Sequence, residues 1–326
     1  MNRQKIDIHN SAKKYAAAKE RWKKDRSISK RNRAFILNFL QDAELGKTIL
    51  HKQKKKIGDR ACLKYGNNLI RCTKFLKKDF DTVTRKNMED FIDDLEKDRI
   101  LTKNETPYSA QTKRDFKIAL RKFYKHLFGN GETYPEIVSW MDTSLSPEYY
   151  IAISASDVQK LVQATKCSLD KAAISMLFDL GARIEEFLNI RLDDVIKTEK
   201  GYKVQINFSK TFTRTLPLDK SIPYLDEWLT IHPKHVPQLI PRSYNQSLDK
   251  LKQLSKKVIG IKINNQIIRH SKATQLAQAG VGRYQMCEWM GWAMSSKMPD
   301  RYIRREGIDN QKTLEMIKHR EAQFEA

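Results

Sequence analysis

The sequence predicts a mainly α-helical protein of two domains, the second carrying a small β-hairpin or sheet. Three observations lead there. Glycine supplies only 12 of 326 residues, about half the usual ~7%, which disfavours turn-rich β structure. Apolar residues recur at i, i+3, i+4 and i+7 through much of the chain, the period of amphipathic helices. A stretch at 129–152 holding Gly129, Gly131, Pro135 and Pro147 interrupts that pattern, and 326 residues suit two domains, each able to bury its own core.

Residues 1–28 read as a basic N-terminal arm. Ser11 to Arg26 is rich in Lys and Arg with few large apolar side chains, so an exposed helix or flexible segment is expected. A helical domain follows over 29–128. Its first helix, 29–45, aligns Phe35, Ile36, Phe39 and Leu40, and its second, 59–77, aligns Leu63, Leu69, Ile70, Phe75 and Leu76. The third follows Thr84 with Met88, Phe91, Ile92 and Leu95. The fourth, 109–128, opens on Ser109 and aligns Phe116, Leu120, Phe123, Tyr124 and Leu127. Its other face carries Lys113, Arg114, Lys117 and Arg121, either a solvated helix face or a set of phosphate contacts.

After the 129–152 linker, the second domain (153–326) opens at Ser154, with Asp157 three residues on as a capping signal. Helices are expected near 155–166, 170–180 and 183–191. Strands Tyr202–Phe208 and Phe212–Leu218 follow, joined by a basic turn around Ser209 and Lys210. Further helices are expected at 243–256, 265–279, 282–290, 299–305 and 309–322. The last would form a tail carrying Leu314, Ile317 and Phe324, docked on a neighbouring copy or folded back on its own domain.

Charge narrows the function. The chain holds 62 Lys+Arg against 39 Asp+Glu, a formal +23, so a polyanion, above all nucleic acid, is the expected partner. About half of the excess lies in residues 1–60, with 18 basic residues against six acidic ones. Both halves are cationic, which suits a protein that grips its ligand from two sides. Cys62, Cys72, Cys167 and Cys287 are scattered with no CxxC pair, against a disulfide framework or a zinc site. The polar start and short apolar runs point away from a signal peptide or membrane span, and a cytoplasmic location is expected.

The chemistry concentrates in GARIEEFLNIRLDDV at 181–195, QIIRHSKATQLAQAGV at 266–281 and EWMGWAMSSKMPDRYIRREG at 288–307. In this order and spacing they resemble the tyrosine recombinase (phage integrase) family. The resemblance covers about 154–305 by motif and extends to 29–128 by architecture, since the family places a helical core-binding domain upstream. It implies a SAM-like helical domain followed by a catalytic domain of the DNA breaking–rejoining fold.

Position by position, Arg183 matches the first catalytic arginine, Lys210 the hairpin lysine and Arg269 the second arginine. Trp292 stands where the family has His or Trp, and Tyr302 matches the nucleophile. Gln266 departs, because the family generally has His three residues before the second arginine. An amide can hydrogen-bond a phosphate oxygen but cannot carry a proton. Glu186, one turn after Arg183, would orient that guanidinium. His270 is read as a structural, hydrogen-bonded neighbour, and Arg214 joins the four helix cations as a DNA contact.

The residue types suit the reaction. Two guanidinium forks would neutralise the nonbridging phosphate oxygens, Tyr302 would attack phosphorus, and Lys210 would protonate the departing deoxyribose oxygen. The resemblance implies cleavage and rejoining of double-stranded DNA at specific sites through a 3′-phosphotyrosyl ester. A homo-tetramer on DNA, with no cofactor and no metal, is implied with it. Two alternatives stay open: a type IB topoisomerase-like relaxing enzyme, and a non-catalytic DNA-binding relative of which Gln266 is the first sign.

Overall fold

A computed structural model describes residues 4–48, 56–129, 133–144 and 151–306, with Leu314 and Lys318. The chain divides into two compact units, His9–Glu148, and Tyr149–Ala326 together with Met1–Ile8.

The first unit is built from helices α1 (Ser11–Lys24), α2 (Lys30–Leu45), α3 (Asp59–Leu76), α4 (Arg85–Glu96), α5 (Ala110–Leu127) and the single turn α6 (Glu136–Ser139). The four helices expected over 29–128 are present to within a residue or two. Their starts follow the capping residues: Ser29, Thr84 and Ser109 each accept the N–H three residues on. Ile36, Phe39, Leu40, Leu69, Met88, Leu95, Phe116, Leu120 and Phe123 are buried in one core.

Two expectations for this region are corrected. The arm is no arm: Tyr15, Ala18 and Trp22 lie on one stripe of α1 and are buried in the same core. Gly66 makes room for this docking, since a Cβ there would lie 2.2 Å from the Trp22 ring. Residues 4–8 instead belong to the second unit, where the Ile6 N–H donates to Asn189 Oδ1 at 2.7 Å and Arg191 donates to the Gln4 carbonyl at 3.0 Å. Nor is 133–144 a linker. Val138 and Met141 are buried in the helical core, and Arg85 pairs with Glu136 at 2.6 Å.

The second unit begins with α7 (Ala155–Ala164), α8 (Ser168–Leu180) and the single turn α9 (Ile184–Phe187). An antiparallel sheet follows in the order β1 (Val195–Thr198), β2 (Gly201–Ile206), β3 (Arg214–Pro217). Then come α10 (Ile222–Ile231), α11 (Tyr244–Ile259), α12 (Asn265–Gln278), α13 (Arg283–Met290) and α14 (Met298–Glu306). The sequence reading lacked β1, whose four residues are too short to establish a period, and α10, whose IPYLDEWLTI is apolar on more than one side. Buried Asp179 of α8 secures the start of α10 by accepting the Asp219 and Ser221 N–H groups and the Ser221 hydroxyl, at 2.6–3.0 Å. The tail expected at 309–322 lies outside the described residues apart from Leu314 and Lys318. No helix among the described residues is long and apolar enough to cross a membrane.

Candidate active site

Two glycines shape the site. Gly181 ends α8 at φ +57°, and Gly291 ends α13 at φ +60°, a backbone region that costs an L side chain strain. Each turn leaves a backbone carbonyl free for an arginine. Arg269, on α12, donates to the Gly181 carbonyl at 2.7 Å and to the Met290 carbonyl at 2.6 Å. Arg183, at the N-cap of α9, donates both terminal nitrogens to the Gly291 carbonyl at 3.0 Å. The two helix ends thus hold both guanidiniums around one turn, the one that leads into Trp292.

Glu186 joins the parts. Its carboxylate receives the Arg183 N–H at 3.0 Å, the Arg183 guanidinium at 2.8 Å, Arg214 at 2.8 Å and the Ser209 hydroxyl at 3.0 Å. Burial alone would raise its pKa. Hydrogen bonding and charge from Arg214, with the Arg183 N–H and guanidinium, outweigh that and hold it at about 2. For Arg269, burial and the like charges of Arg183 and Arg214 press its pKa down to about 9, which leaves it cationic at neutral pH.

Tyr302, on α14, is buried, its ring stacked on Trp292 with centroids 5.7 Å apart and planes 15° from parallel. The Arg269 guanidinium sits 5.7 Å from the Trp292 ring centre. The Tyr302 hydroxyl is hydrogen-bonded to Nδ1 of His270. Burial first, and then the charge of Arg269, lower the imidazole's pKa to about 4, so the ring is neutral at pH 7.

Arg183, Arg269, Trp292 and Tyr302 therefore converge, with Glu186 and His270 against them. Lys210 is exposed on the β2–β3 loop, but its neighbours tie that loop to the site: Ser209 to Glu186, and Thr211 to the Gly291 carbonyl at 3.0 Å. Gln266 lies on the exposed side of the first turn of α12.

The five residues expected to contact DNA are engaged within the protein. Arg214 has only 1% of its side chain exposed, and it donates to Glu186 and, at 2.9 Å, to the Trp289 carbonyl. It is an internal strut. The period of β3 carried the signal, because Arg214 alternates inward with Leu216. Lys113 and Lys117 pair with Asp98 and Glu96 at 2.8 and 2.6 Å, their side chains 12% and 15% exposed. Arg114 and Arg121 hold the Thr143 and Met141 carbonyls at 2.5 and 3.0 Å. Arg114 and Arg121 thereby brace 133–144. Sequence reasoning also missed Gly181 and Gly291 as suppliers of anchoring carbonyls, because a helix-ending glycine looks the same whether or not its carbonyl serves a site. Among the described residues no group of three or more His, Cys, Asp or Glu side chains could hold a metal ion.

Known proteins resemble this chain in sequence and in fold. Residues 152–307 match the Phage integrase family. The tyrosine recombinase XerA of Pyrococcus horikoshii is 25% identical over 182 residues, a match spanning 51% of this chain and 63% of that protein. The tyrosine recombinase XerA of Saccharolobus solfataricus is 24% identical over 234 residues, 67% of this chain and 73% of that protein. Among solved structures, a lambda integrase tetramer bound to a Holliday junction shares the fold with TM-score 0.62 at 14% identity, over 84% of this chain and 78% of that one. The XerH recombinase bound to its difH substrate in a pre-cleavage complex gives 0.58 at 16% identity, over 92% and 95%. On the order of its motifs, the convergence they reach in space and these matches, residues 152–307 form a domain of the Phage integrase family.

Proposed function

We propose that the protein is a site-specific DNA recombinase that cleaves and rejoins double-stranded DNA through a 3′-phosphotyrosyl intermediate. The observation that carries this is the convergence of two anchored guanidiniums, Arg183 and Arg269, beside the Trp292–Tyr302 stack. Arg183 keeps its Nε–H and one Nη2 hydrogen without a protein acceptor among the described residues, donors suited to nonbridging phosphate oxygens. Tyr302 attacks phosphorus, and Lys210 on its tethered loop protonates the departing 5′-oxygen. Trp292 packs against the nucleophile, and Gln266 hydrogen-bonds a phosphate oxygen without moving a proton. Strand exchange takes place in a homo-tetramer on two duplexes, as in the lambda integrase tetramer on its junction.

In the helical unit, Lys24, Arg26 and Lys30 line one basic concavity and carry no ion pair among the described residues, which makes them the phosphate contacts in place of the α5 cations. A nicked suicide substrate containing the recombination site tests the function. The wild type traps a covalent protein–DNA complex, and Tyr302→Phe traps none. Exchange between two marked sites, rather than relaxation of one circle, is the expected product. Absence of any covalent complex with the wild type would sink the enzymatic reading.

A further inference from the structure

We infer that His270 is the base that takes the Tyr302 proton, filling the role that Gln266 cannot. The inference rests on Tyr302 being the nucleophile. Positions 266 and 270 lie four residues apart on α12 and so share one helix face. At the first, an exposed amide replaces an imidazole. One turn further, an imidazole is buried with Nδ1 hydrogen-bonded to the phenol hydroxyl, and in the tautomer protonated at Nε2 the Nδ1 lone pair accepts that bond. The His270 and Tyr302 rings lie 6.0 Å apart and 32° from parallel, with Trp292 also stacked on the tyrosine.

The surroundings keep the ring unprotonated. Arg269 is the charge acting on it from α12. On the helices packed against α12, Asp170 and Lys171 pair with Arg242 and Glu227, Asp179 caps α10, and Arg283 pairs with Asp300. A neutral lone pair is thus presented to Tyr302 at physiological pH.

The step balances. As the phenol oxygen bonds to phosphorus, its proton passes to His270 Nδ1, and the P–O5′ bond breaks. The 5′-oxygen leaves with a proton from Lys210. In religation the 5′-hydroxyl attacks the phosphotyrosyl ester and returns its proton to Lys210, while the imidazolium returns its own to the departing phenolate. The negative phosphodiester in the site stabilises the transient imidazolium.

Single-turnover cleavage of the suicide substrate separates a base from a structural support. Asn at 270 can still accept the phenol hydrogen bond but cannot take the proton. His270→Asn is expected to lose about 10²-fold or more in cleavage rate, the usual contribution of a general base, with DNA affinity unchanged. A substrate with sulfur in place of the bridging 5′-oxygen, whose leaving group needs no proton, should restore Lys210→Ala and leave His270→Asn slow. A fluorinated tyrosine at 302, whose phenol ionises near neutrality, should shrink the His270→Asn defect. If His270→Asn fails to fold, His270→Gln carries the same comparisons. Near-wild-type cleavage by the amide variant, rescue by the sulfur substrate, or a defect untouched by fluorotyrosine each overturns the assignment. A wild type that forms no covalent complex overturns the recombinase reading instead.

Discussion

Glu186 is almost completely buried yet ionised, because two guanidiniums, a backbone N–H and a hydroxyl share its charge. Its folded pKa of about 2 lies below the ordinary 4.5, so its stabilisation is complete above pH 4.5 and is lost as pH falls through 2. At neutral pH the shift corresponds to about 3 kcal/mol. Glu186→Gln should therefore destabilise the protein by about 3 kcal/mol in urea melts and flatten the stability profile between pH 4.5 and 2. An unchanged acid slope would mean that the carboxylate is not the linked group. His270 acts in the same direction: its folded pKa of about 4 lies below the ordinary 6.5, so its contribution is present above pH 6.5 and is lost as pH falls through 4.

At the scale of elements, helix ends do the positioning. A Cβ on Gly291 would lie 2.4 Å from Arg214 Nη1, where the backbone is already left-handed. Gly291→Ala should cost on the order of 2–3 kcal/mol by strain and by displacing a buried ionic strut, and it should slow cleavage as Arg183 loses its carbonyl anchor. Thermal melts and single-turnover rates check the two effects. In the helical unit, α1 is held by a few large side chains, and Trp22→Ala should cost about 3–5 kcal/mol, read by urea denaturation. The sequence reading of 11–26 undervalued those side chains because charge dominates the segment. A stripe of Tyr15, Ala18 and Trp22 suffices once Gly66 opens a seat for the indole.

At the scale of the whole molecule, the +23 charge is the excess of cations left once every carboxylate has been counted against one. Individual cations are engaged inside the protein, as Lys113, Lys117 and Arg214 show. Affinity for duplex DNA should fall steeply with salt. The triple change Lys24→Ala, Arg26→Ala, Lys30→Ala should reduce the slope of log K against log salt by up to about 3, near 0.9 for each phosphate that is no longer neutralised. Lys113→Ala with Lys117→Ala should leave that slope unchanged. A titration of DNA binding over a range of salt concentrations decides between the two faces, and the opposite ranking would return the phosphate-binding role to α5.

The sequence by itself determined the helical class, the four helices over 29–128, the order of the motifs and the family they signal. Local patterns suffice there: an amphipathic stripe and a capping residue act within a turn or two of the chain, and motif spacing is a property of the string. Only the tertiary structure decided which charges face solvent and which are internal, that Arg214 is a strut, that 133–144 packs on helices, and that His270 meets Tyr302. Each of these depends on which carboxylate, carbonyl or phenol the fold brings within about 3 Å, often from more than 25 residues away along the chain. Charge and hydrophobicity patterns carry no information about such partners.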